Sequence, residues 1–129
     1  MNDPLPLNVR RFLAHQIESV AQLETLLLLR RDSHRLWNAQ ELAQGLYLSE
    51  NMCQAMLDDL ERRKFLVRAS DSNSVRYECA DLKADSMIAL LEDLYRERRV
   101  AVISEIHSTP ISKVQTFADA FRLRKDGKP

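Results

Sequence analysis

The sequence predicts a mainly α-helical fold, on three observations. Apolar residues recur at helical spacing over most of the chain, glycine is almost absent, and one short stretch switches to a period of two. With 129 residues, 45% of them hydrophobic, the chain has the usual length of one domain and enough apolar surface for one core. Its only glycines are Gly45 and Gly127. That excludes Gly-rich phosphate cradles and most turn-dense all-β architectures. A single domain over residues 1–129 is therefore expected.

Pro4 and Pro6 forbid an earlier helix, and Asn8 can cap the one that follows, in which Val9, Leu13, Ile17, Val20 and Leu27 keep helical spacing. One long N-terminal helix over residues 8–32 is expected. Four consecutive leucines, residues 26–29, step ~100° each and sweep most of its circumference. Such a helix touches two partners: the core and a second subunit, or the walls of one helical bundle.

Asn38-Ala39-Gln40-Glu41 has the form of a capping box, with Trp37 and Leu42 at the positions of a hydrophobic staple, and so opens a short helix over residues 39–44. Gly45 suits the left-handed residue that ends it, and Leu46-Tyr47-Leu48 makes the turn. Ser49 caps a second helix with Met52, Cys53, Met56, Leu57 and Leu60 inward. Beyond Arg62-Arg63-Lys64, the alternation places Phe65, Val67 and Ala69 on one face of a strand and Val75, Tyr77 and Cys79 on one face of a second. Ser70-Asp71-Ser72-Asn73-Ser74 between them is turn chemistry, so the pair forms a hairpin. Asp81 caps the next helix, whose Met87, Ile88, Leu91, Leu94, Tyr95, Val102 and Ile106 keep near-heptad spacing over about seven turns. Thr109-Pro110 then opens a final amphipathic helix striped by Ile111, Val114, Phe117 and Phe121, so that C-terminal helices span residues 81–124.

Short helix, tight turn, second helix and two-stranded wing, flanked by long helices, make residues 36–79 resemble the winged helix-turn-helix transcription regulators of the MarR and PadR kind. The matching words are Leu42-Ala43, Leu48-Ser49 and Leu60-Glu61-Arg62-Arg63-Lys64-Phe65-Leu66. The family usually has glycine where Lys64 stands. The resemblance implies a cytoplasmic homodimer that regulates transcription by placing its second helix in the major groove of double-stranded DNA. Ser49, Glu50, Asn51 and Gln54 would then face the bases. Arg62, Arg63, Lys64, Arg68 and Arg76 would meet phosphates.

Charge points the other way. Formal charge is zero, and residues 39–61 hold Glu41, Glu50, Asp58, Asp59 and Glu61 with no Lys or Arg. Residues 62–76 and 95–129 are each net +4, and residues 77–94 net −4. Five carboxylates facing phosphates would handicap DNA binding by about 1–2 kcal/mol, comparable with one good base contact. A second reading is therefore a protein–protein adaptor, with the basic residues as the solvated balance of an acidic helix. Arg96, Arg98 and Arg99 are expected to pair with Glu92, Asp93 or Glu97. The terminal Arg122, Arg124, Lys125 and Lys128 form either a loose DNA-contacting arm or a solvating tail.

Cys53 and Cys79 lack CxxC or Cys/His spacing and follow the core pattern, so no disulfide or metal is expected. His15, His34 and His107 stand far apart, with no neighbouring ligand residues. Trp37 and Tyr47 could line an effector pocket, although the staple already accounts for Trp37. No catalytic motif stands out, so neither an enzyme nor a cofactor is expected. The N-terminus lacks an export pattern, and no apolar run approaches the length of a membrane span.

Overall fold

The computed structural model describes residues 4–70 and 72–108. In chain order it contains α1 (Leu7–Gln16), α2 (Val20–Arg31), α3 (Ala39–Leu46), α4 (Glu50–Arg62), β1 (Leu66–Arg68), β2 (Val75–Tyr77), α5 (Leu82–Glu97) and α6 (Arg99–Ser108). This is a mainly α winged helix-turn-helix with flanking helices. The expected final helix and basic tail lie outside the described residues. Among the described residues two compact units are formed, one by residues 4–20 with residues 93–108 and the other by residues 21–92.

In the first unit, α1 buries Val9 and Leu13 and packs on α6, which buries Val102 and Ile106. Arg10 reaches Glu105 at 3.5 Å across that contact. The expected single N-terminal helix is broken. Ile17 leaves α1 in extended geometry (φ −120°, ψ 120°), its N–H still bonding Leu13 O, and is itself buried. A β-branched residue is at home in that conformation. Ser19-Val20-Ala21-Gln22 carries the S-x-x-Q pattern of a helix start, a signal outweighed by the longer apolar periodicity.

The second unit carries the winged helix. Asn38 Oδ1 accepts from Glu41 N–H at 2.9 Å while Asn38 N–H donates to Glu41 Oε1 at 3.1 Å, completing the capping box, and the staple residues Trp37 and Leu42 are buried. Trp37 also exchanges two 2.8 Å backbone hydrogen bonds with Val75, so the chain entering α3 is tied to the wing.

The end of α3 differs from expectation. Gly45 lies inside the helix, and the left-handed residue is Tyr47 (φ 57°, ψ 41°), with its own N–H and that of Leu48 directed to Ala43 O. A Cβ on Gly45 would meet nothing within 4 Å. Gly45→Ala should therefore stabilise the fold by about 0.5–1 kcal/mol through helix propensity alone.

Ser49 Oγ accepts from Met52 N–H at 3.0 Å and opens α4, which buries Cys53, Leu57 and Leu60. Met52, expected inward, is 51% exposed. The helix closes with Phe65 N–H on Leu60 O and Lys64 N–H on Glu61 O, a Schellman pair in which Lys64 takes the left-handed position (φ 71°). The backbone thus adopts the geometry that glycine favours although lysine occupies it. Lys64→Gly is expected to add about 1 kcal/mol by removing the Cβ penalty, read together with Gly45→Ala by urea denaturation.

That turn also decides the phase of the wing. β1 and β2 pair antiparallel with Leu66 opposite Tyr77, Val67 opposite Arg76 and Arg68 opposite Val75. Leu66, Val75 and Tyr77 are buried, whereas Val67 and Arg76 are only half-buried. The inward face of β1 is therefore that of Leu66, one residue out of step with the expected Phe65-Val67-Ala69 face. Phe65 is buried too, as the residue that follows the left-handed turn.

Asp81 Oδ1 accepts from Lys83 and Ala84 N–H at 3.0 and 3.3 Å and starts α5 as expected. The expected continuous arm to Ile106 is interrupted at Arg98, although Arg98 N–H still bonds Leu94 O and Val102 N–H bonds Arg98 O. Arg96 pairs with Asp93 at 2.9 Å, and Arg99 lies 4.6 Å over the Tyr95 ring.

Candidate docking surface of the winged helix

The helix that would enter a major groove is α4. Its cap and first turn, Ser49, Glu50, Asn51 and Met52, are all exposed, and Gln54 is half-buried. Gln54 Nε2 donates to Asp58 Oδ1 at 2.9 Å, so its amide is engaged along the helix. Ser49 Oγ is engaged by the cap. Asn51 and Glu50 remain as exposed polar side chains at the tip.

The flanking arginines meet carboxylates of the same unit. Arg68, projecting from β1, bonds Glu61 Oε1 through Nη2 at 2.6 Å and through Nε at 3.0 Å, and Asp58 Oδ1 at 3.0 Å. The Glu61 bonds, followed by burial acting in the opposite sense and the charges of Glu61 and Asp58, raise the Arg68 pKa. Arg63 Nε bonds Asp59 Oδ2 at 2.7 Å, and Arg62 bonds the other oxygen of Asp59. Arg76 pairs with Glu78 at 2.7 Å, and Arg35 with Glu41 at 3.2 Å. Of the five cations assigned to phosphates, Lys64 alone is exposed with no ion pair among the described residues.

Asp59 belongs to the scaffold. Its side chain is 14% exposed and also accepts from Gln22 Nε2 of α2, a buried residue, at 2.7 Å. Burial works against its charge, but the hydrogen bonds from Arg63 and Gln22 and the charges of Arg63 and Arg62 outweigh it and hold the carboxyl below the ordinary value.

Behind the wing, a cleft of about 340 Å³ is lined by Arg30, Ser33, His34, Arg76, Tyr77 and Asp85. Arg30 bonds Glu92 at 2.7 Å and Tyr77 donates to Asp85, so the charged groups of the cleft are met internally. Burial, then the bond to Asp85, pushes the Tyr77 phenol far above its ordinary pKa. Tyr47, expected in a pocket, is 93% exposed. Trp37 is buried, with the Arg35 guanidinium 3.7 Å from its ring centroid.

Sequence reasoning located α4, its cap and the arginines. It missed Arg35 and Gln22 as partners of Glu41 and Asp59, and it expected Tyr47 in a pocket and Met52 inward, whereas both are exposed. Among the described residues there is no group of three or more His, Cys, Asp or Glu able to hold a metal, and no helix long and apolar enough to cross a membrane.

The fold and this surface define a winged-helix domain, an architecture used for binding DNA or protein. No protein-family model matches the chain, and comparison with curated proteins and with solved structures gives no significant match.

Proposed function

We propose that the winged helix docks a protein partner through α4 and the preceding turn. One observation carries this reading: Arg62, Arg63, Arg68 and Arg76 are already bonded to Asp59, Glu61, Asp58 and Glu78. Phosphate binding draws its affinity from Lys and Arg that release counterions. Here the charge of each arginine is already met by a carboxylate, so a phosphate would have to compete with it, and fewer counterions would be released per contact. The same pairs cancel most of the acidic band, leaving α4 without a strong field of either sign.

The second reading is a homodimeric MarR/PadR-like regulator. The exposed first turn of α4, with Asn51 free to read adenine, favours it. The leucine run that suggested a second subunit is largely covered within one chain, since Leu26, Leu27 and Leu29 are buried.

Fluorescence anisotropy of random-sequence duplex DNA separates the two. Non-specific DNA binders hold DNA with Kd of about 10⁻⁴–10⁻⁶ M at physiological salt and more tightly below it. The wild-type chain is expected to show no salt-dependent retention at low ionic strength, and Glu50→Lys combined with Asp58→Lys to acquire it. Retention by the wild type, with a salt slope that falls by about 1 on Arg68→Ala or Arg76→Ala, would establish the DNA reading instead.

A further inference from the structure

The turn between α3 and α4 holds a side chain that contributes nothing visible to the fold. Tyr47 is 93% exposed and left-handed, a conformation that suits glycine or asparagine better than an aromatic residue. Its N–H closes α3 on Ala43 O, a bond any residue would make, while its ring stands in solvent. Met52, on the other side of the Ser49 cap, is 51% exposed. Along the same stretch of chain Gln44, Ser49, Asn51 and Ala55 are exposed too. Between Glu41 and Asp58 the sole charged residue is Glu50, and among the described residues no cation pairs with it. An exposed aromatic and a methionine on a surface poor in charge form the composition of a protein-interface centre.

We propose that Tyr47 and Met52 are the apolar anchors of the docking surface and that Glu50 receives a Lys or Arg of the partner. The occupant is then a protein segment that sets aliphatic residues beside a basic one. This deepens the protein-docking reading and rests on it. A second copy fits poorly, because a two-fold contact through this patch would set Glu50 near its own symmetry mate. Tyr47→Gly is the informative variant, since it removes the anchor while relieving the backbone, so lost binding accompanies a raised melting temperature.

The test is selection from a displayed library of random linear peptides on the wild-type chain. Enriched peptides are then synthesised and titrated against wild type, Tyr47→Gly, Met52→Ser and Glu50→Gln. Enriched peptides are expected to combine Lys or Arg with aliphatic residues. Their affinity should fall about tenfold or more on Tyr47→Gly, as for an interface hot spot, and lose salt dependence on Glu50→Gln. Peptides that bind wild type and Tyr47→Gly alike would overturn this site while leaving protein docking intact. Enrichment of acidic peptides, or of none, would overturn the basic-aliphatic partner. A dimer by light scattering that Tyr47→Gly converts to monomer would replace the partner with a second copy, and duplex DNA retained by the wild type would remove the underlying reading.

Discussion

Leu66→Ala is expected to destabilise the protein by about 2–4 kcal/mol, and Val67→Ala, one residue further along the same strand, by less than about 1 kcal/mol. Leu66 is 2% exposed and stands opposite the buried Tyr77, whereas Val67 is half-buried and stands opposite Arg76 on the outer face. Truncating Leu66 removes buried methyl groups and leaves a space that the neighbouring Val75 and Tyr77, held in the ladder, can fill only in part. Truncating Val67 removes a side chain that solvent already reaches. Urea denaturation of both variants measures the difference. A larger loss from Val67→Ala than from Leu66→Ala would mean that the wing presents its other face to the core, since a one-residue slip exchanges the two faces completely.

Asp59→Asn is expected to cost about 2 kcal/mol near neutral pH, because it weakens a carboxylate that accepts from Gln22, Arg62 and Arg63 at once. The cost should depend on pH in one direction. The folded carboxyl titrates below its ordinary value, so the unfolded chain takes up the proton first as the solution is acidified. The stabilisation is therefore complete above the unfolded carboxylate pKa, about 3.9, and is lost as pH falls through the depressed folded value. Denaturation of wild type and Asp59→Asn at neutral pH and at successive acidic pH values should show the gap narrowing only below about pH 4. A gap that stays constant into that range would mean that the residue acts by packing rather than by its charge.

The parts of the fold legible in the sequence are those closed within a few residues. The capping box at Asn38, the serine cap of α4, the Asp81 cap and the hairpin between β1 and β2 each satisfy backbone groups within one turn or across one short loop, so residue type and spacing suffice to place them. The candidate surface was legible to the same extent: Ser49, Glu50 and Asn51 are exposed on the expected helix. The helix ends were less so. Gly45 satisfied a statistical preference for the left-handed position, yet Tyr47 and Lys64 hold the two left-handed backbones, because at each site the closing hydrogen bonds outweigh a Cβ penalty of about 1–2 kcal/mol.

Charge is where sequence and structure part. Read linearly, five carboxylates followed by a run of cations look like an acidic helix beside a basic wing; folded, Asp58, Asp59 and Glu61 are neutralised by Arg62, Arg63 and Arg68, and Glu50 and Lys64 are left over. Asp58 meets Arg68 ten residues on, Glu61 meets it seven residues on, and Asp59 receives Gln22 from 37 residues away. The sequence by itself determined the helix-turn-helix, the wing and the residue types on α4, because those follow from local hydrogen bonding and apolar period. Tertiary structure alone decided which charges remain free, which face of β1 is buried and that Tyr47 stands in solvent. Each of these depends on how separate elements are brought together, and neither spacing nor composition carries that geometry.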